Sequence, residues 1–129
     1  SLRGEQKYYL ADLGFYFALN TDNRINYGPV LENIVYRYAL AQGCKVSVGR
    51  IGKLECDFIL RTPEMSYAYV QVAMTIMADR STEEREYRPF EQIRDNYPKY
   101  LLTRSDPIQQ RDGIIHANIP EFIQEGRAF

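Results

Sequence analysis

Asp57 and Gln71 are the two polar residues whose setting in this chain invites chemistry. Each lies within a strand-like stretch, Lys53 to Leu60 and Tyr67 to Met74, with a short turn around Thr62 and Pro63 between them. Alternate residues of a strand share a face. Leu54, Cys56, Phe58 and Leu60 are therefore expected on one side, and Glu55, Asp57 and Ile59 on the other. In the second stretch Val70, Val72 and Met74 form the apolar row, opposite Tyr69, Gln71 and Ala73. Paired as a hairpin, the two stretches bring Asp57 and Gln71 together. Buried polar groups without partners are costly, so the pair needs a reason. Hard oxygen donors suit Mg²⁺, which takes one or two carboxylates and keeps several waters. Such an ion lowers the pKa of bound water and stabilises charge developing on a phosphodiester. Asp57 would be the principal ligand, joined by the Gln71 side-chain oxygen, the Val72 carbonyl and Glu55 as a second carboxylate. The structural alternative is that Asp57 and Gln71 bond to each other or cap neighbouring backbone.

Several elements must position these residues. A polar start (1–7) precedes a short strand, Lys7 to Gly14, an apolar helical turn, Phe15 to Leu19, and a loop, Asn20 to Tyr27. Gly28-Pro29 opens a helix, with proline suited to the first turn. Val30, Leu31, Ile34, Val35, Tyr38, Ala39 and Ala41 keep helical spacing, and Gly43 is a natural stop. Cys44 to Val48 alternates as a strand, and Gly49 to Gly52 reads as a turn into the two central strands. Ser81 with Glu84 has a capping-box pattern and predicts a helix to about Arg94, with Tyr87, Phe90 and Ile93 inside. Pro89 would kink that helix. Tyr97-Pro98 is a turn, Lys99 to Thr103 a strand, Arg104 to Asp112 a polar loop, Gly113 to Asn118 a last strand and Ile119 to Ile123 a helical turn. Helix, three strands, helix, strand, strand implies an α/β domain with one mixed central sheet flanked by helices.

The 129 residues suit one domain, with 28–129 as core and 1–27 as an extension from a preceding region. Sixteen basic residues against seventeen acidic give no overall electrostatic case for nucleic acid, and leave a local basic patch open. Cys44 and Cys56, within apolar runs, read as free buried thiols of a cytoplasmic protein. With two cysteines and one histidine there is no Cys/His zinc cluster. No apolar run approaches the roughly 20 residues of a membrane span, so no membrane partner is expected. The start at Ser1 reads as a fragment of a longer protein. His116 reads as a structural histidine. The arginines Arg80, Arg85, Arg88 and Arg94, interleaved with glutamates, read as a solvated, salt-bridged helix face, with a phosphate-contacting stripe as the alternative.

The order of elements, with an acid on the first helix, Glu32, Asp57 on the second strand and Gln71-Val72-Ala73 on the third, resembles the PD-(D/E)XK nuclease superfamily and its restriction-endonuclease-like core. The strings Lys7-Tyr8-Tyr9-Leu10-Ala11-Asp12-Leu13-Gly14, Leu31-Glu32-Asn33-Ile34-Val35-Tyr36, Glu55-Cys56-Asp57-Phe58, Tyr69-Val70-Gln71-Val72-Ala73, Arg85-Glu86 and Asp95-Asn96-Tyr97-Pro98-Lys99-Tyr100 look like the C-terminal DUF4143 domain of prokaryotic AAA+ ATPases. The resemblance covers nearly the whole chain. It implies that an ATPase module and a winged-helix segment precede this domain; the fragment itself has no Gly-x-x-x-x-Gly-Lys-Ser/Thr phosphate loop. It also implies catalytic and metal positions at Asp57, Gln71 and Glu32, with Glu32 acting through water.

The signature lysine, which orients the attacking water, is replaced by Ala73. Arg85 or Lys99 are candidate substitutes, with Arg88 and Lys53 behind them. Three functions follow as expectations. One is an accessory domain with a degenerate nuclease-like site, contacting DNA or a partner. Another is an active Mg²⁺-dependent DNA endonuclease. The third is a protein-interaction or homo-oligomerisation module.

Overall fold

The computed structural model describes residues 28–51 and 54–129. The strand, helical turn and loop expected over residues 1–27, and the candidate Lys53, lie outside the described residues. The first helix, α1, spans Gly28–Ala41. Its buried residues Leu31, Ile34, Val35, Tyr38 and Ala39 form the stripe that the 3.6-residue period predicts. Gly43 ends it at φ +86°, with Cys44 N–H donating to Ala39 O and Gly43 N–H to Leu40 O. This is a Schellman closure, which leaves few orphan carbonyls.

Five strands follow: β1 (Lys45–Ile51), β2 (Leu54–Arg61), β3 (Tyr67–Ala73), β4 (Lys99–Thr103) and β5 (Ile115–Asn118). They lie in the sheet in chain order, β1-β2-β3-β4-β5. The first three pair antiparallel, and β3–β4 and β4–β5 pair parallel. The expected mixed α/β sheet is therefore present. Between β3 and β4 lie α2 (Arg80–Tyr87) and a 3₁₀ turn (Arg88–Gln92), and α3 (Ile119–Gln124) follows β5. Among the described residues no helix is long and apolar enough to cross a membrane.

The sheet separates two cores. On one face α1 and α3 pack Leu31, Val35, Tyr38, Ile119 and Phe122 against Leu60, Val70, Val72, Tyr100 and Leu102. On the other, Tyr87 and Phe90 cover Cys56, Ala73, Leu101 and Ile114. Alternation along β4, with Tyr100 and Leu102 one way and Leu101 the other, feeds both. Cys44 and Cys56 are free and buried.

Three expectations need correction. The chain does not turn at Gly49: β1 continues to Ile51, with Gly49 opposite Cys56. Strict alternation of β2 fails as well. Ser47 pairs with Ile59 but Gly49 with Cys56, so two steps on β1 face three on β2. That extra residue is a bulge. It moves Cys56 off the face of Phe58 and Leu60 and onto that of Ile59. A Cβ built on Gly49 would meet both, at 2.7 Å from Ile59 Cγ1 and 3.1 Å from Cys56 Cβ. Finally, the second helix is capped by Asp79 rather than Ser81, the Asp79 carboxylate accepting from Thr82 N–H at 2.7 Å. Its α-helical part stops at Tyr87, and Pro89 directs the next five residues into the 3₁₀ turn.

The close approach at Gly49 predicts that Gly49→Ala is destabilising, by about 1–3 kcal/mol, as for overpacked core sites. Urea unfolding measures this; unchanged stability would mean that the bulge has room for a methyl group.

Candidate functional site

Antiparallel pairing between β2 and β3 runs from Arg61–Tyr67 to Phe58–Val70. The next pair in that register is Asp57 and Gln71. There, at the bulge, side chains take over from the backbone ladder. Asp57 N–H donates to Gln71 Oε1 at 3.0 Å, and Val72 N–H donates to Asp57 Oδ2 at 2.8 Å. Gln71 Nε2 donates in turn to Glu86 Oε2 on α2 at 2.9 Å. The amide orientation follows from its partners, because oxygen must face an N–H and nitrogen a carboxylate. Gln71 is 8% exposed, so its satisfied amide matters energetically.

The electrostatics around Asp57 are unfavourable to its charge. Burial, followed by the like charges of Glu32, Glu86 and Glu55, pushes its carboxyl up to about 6, against the opposing bond from Val72 N–H. Glu32 is raised as well, by burial and by Glu86. The structure thus places Glu32 and Glu86 near enough to Asp57 to act on its charge, and bonds Glu86 to Gln71. Glu55 stands apart: its side chain is 72% exposed and pairs with Arg50 at 3.4 Å. Val72 contributes its N–H to Asp57 and its side chain to the α1 core.

The basic candidates do not reach Ala73. Ala73 is 7% exposed and lies in the apolar core with Cys56, Ile76, Tyr87, Phe90, Leu101 and Ile114. Lys99 pairs in register with Tyr69, four residues back along β3, and its ammonium donates to the carbonyls of Asp95 and Tyr97. Arg85 is 65% exposed, with its Nε 4.0 Å from Glu86, and Arg88 is exposed. The donor set is also committed. Gln71 Oε1 and one Asp57 oxygen hold backbone N–H groups, and among the described residues no three His, Cys, Asp or Glu side chains are grouped to hold a metal ion. What this arrangement does chemically is join β2 to β3 and collect negative charge beside the joint.

Glu86 is the site residue for which no role was expected: it appears in the string Arg85-Glu86 but sits among alternating charges on an otherwise solvated helix. One signal was available. Glu86 precedes Phe90 by four residues and Ile93 by seven, which places it at the margin of the inner face. His116 is structural, as expected, and lies in a separate hydrogen-bonded group with Thr103 and Gln109.

No known family model matches the chain, and no solved structure matches it. An uncharacterized protein of Haemophilus influenzae is 36% identical over 102 residues, covering 79% of this chain. The match covers 24% of that protein, so the chain spans about a quarter of the relative's length.

The raised Asp57 carboxyl has a definite sign. Between the unfolded value of 3.8 and the folded value near 6, the folded state holds the proton more tightly. Its contribution to stability is therefore present below that window and lost as pH rises through it. Asp57→Asn keeps an acceptor for Val72 N–H and removes the charge. It should stabilise the protein by about 1–3 kcal/mol at about pH 7.5 and by little at about pH 4. Chemical denaturation at the two pH values checks this, and a variant destabilised at neutral pH would contradict it.

Proposed function

We propose that this chain is a C-terminal accessory domain of an AAA+ ATPase, of the DUF4143 type, on a restriction-endonuclease-like core whose site has become a structural joint. It serves a cytoplasmic parent protein by contact with DNA or a partner, and it does not cleave. Three findings support the reading. The mixed sheet carries Asp57 and Gln71 at adjoining positions of β2 and β3, as the resemblance implies. The Haemophilus influenzae relative is about four times the length of the matched segment, which agrees with a module inside a longer protein. The observation that carries loss of catalysis is Ala73. It lies in an apolar core, where a lysine head group would lack partners, and the candidate substitutes Lys99 and Arg85 are engaged elsewhere.

A second reading, Mg²⁺-dependent phosphodiester cleavage, is favoured by one observation. Glu86 raises the proton affinity of Glu32 and Asp57, and Glu32 raises that of Asp57, and a divalent cation would offset that crowding. Nicking of supercoiled plasmid by the full-length parent protein separates the two. With Mg²⁺ or Mn²⁺ present, the wild type should nick no faster than Asp57→Ala. Nicking that needs both the metal and Asp57 would replace the accessory reading with the nuclease.

A further inference from the structure

The segment 104–114 joins two parallel neighbours, β4 and β5, and its outward bonds are polar. Its first anchor is Asp106, whose carboxylate accepts from the Thr75 hydroxyl and from Ile76 N–H, each at 2.7 Å. Asn118 Nδ2 donates to the Asp106 carbonyl at 2.9 Å. Next comes Gln109. Its side chain accepts from the Tyr87 hydroxyl and donates to Glu83, each at 2.6 Å. Its own N–H donates to His116 Nδ1 at 2.8 Å. Last, Arg111 grips Glu84 with both terminal nitrogens and lies 4.3 Å over the Tyr87 ring. Three of these partners, Glu83, Glu84 and Tyr87, belong to α2. That helix has Tyr87 as its buried residue, so its seat on the sheet depends heavily on these bonds.

We propose that residues 104–114 form a polar strap that holds α2, and Glu86 with it, against the sheet, and that His116 is its latch. His116 is 6% exposed. Its Nδ1 accepts from Gln109, so its Nε2 carries the ring proton and donates to Thr103 Oγ1 at 2.7 Å. Thr103 passes its own proton to Asn118 Oδ1 at 2.9 Å. An imidazolium has two donors and no acceptor. Protonating His116 therefore sets a donor against Gln109 N–H and opens the latch.

The groups around the ring are named readily. Asp106, on the strap, favours the charged ring, and burial opposes it more strongly, leaving His116 below the usual 6.5. Thr103 on β4 and Asn118 on β5 are neutral. Glu83 on α2 and Arg111 on the strap lie beyond Gln109. Because the folded value is depressed, the latch is complete above 6.5 and is lost as pH falls from there through the folded value. Glu86 bonds Gln71, so release of α2 reaches the joint between β2 and β3. The strap stands whether or not the domain ever cleaves DNA.

Amide hydrogen exchange tests it, with protection factors corrected for intrinsic exchange at about pH 7 and about pH 5. The Gln109 amide and the α2 amides should lose protection together, by about tenfold per pH unit for a single proton, while β4 amides hold. His116→Asn offers an oxygen acceptor near the Nδ1 position that does not titrate; it should keep strap and helix protected at both pH values. Gln109→Ala leaves the bond to His116 and cuts those to Tyr87 and Glu83. It should cost α2 about tenfold in protection at neutral pH, and it serves if His116→Asn does not fold. An α2 indifferent to strap opening or to Gln109→Ala, or an acid response kept in His116→Asn, would overturn the proposal.

Discussion

Two strands part at Asp57 and Gln71, and the polar side chains of those residues close the gap. A backbone N–H left unpaired inside a sheet costs as much as a lost hydrogen bond. Here two such groups, on Asp57 and Val72, are satisfied by side chains from the facing strand. The bulge that creates the need also sets the surroundings. It turns Cys56 toward the α2 core, requires glycine at position 49, and leaves Asp57 among carboxylates. The joint is thus satisfied in hydrogen bonds and strained in charge.

The strain bears on function. Perturbed carboxylates gather at functional sites and also in structural charge networks. Glu86 holds the Gln71 amide in the one orientation that serves Asp57, which ties the joint to α2. The helix is in turn tied to the β4–β5 connection through Gln109 and Arg111. A chain of polar bonds therefore runs from His116 to Asp57 along one side of the sheet. The apolar cores fix the layers; this chain fixes how the acidic residues face one another.

Much of the fold could be read from local pattern. The α1 stripe, the exact span of β4 and the opposed rows of β3 follow from periodicity and from Gly43. The bulge could not be read, because one inserted residue changes the phase of β2 without altering its composition. Asp79 and Ser81 are both acceptable caps by type, and the choice between them was set by how the chain enters α2. Asp57 and Gln71 were legible as a pair because their spacing suits a hairpin. Glu86 and Arg111 were not, since their partners lie 15 and 27 residues away. The apolar setting of Ala73 depends on Tyr87 and Phe90 from the helical stretch after β3 and on Ile114 from just before β5.

Asp57 is a member of a structural joint and is burdened by neighbouring carboxylates. Titrating the Asp57 carboxyl by NMR, with and without saturating Mg²⁺, tests it most directly. The midpoint should lie near 6 in both conditions. A midpoint at the ordinary 3.8, or one that Mg²⁺ drives down, would contradict it.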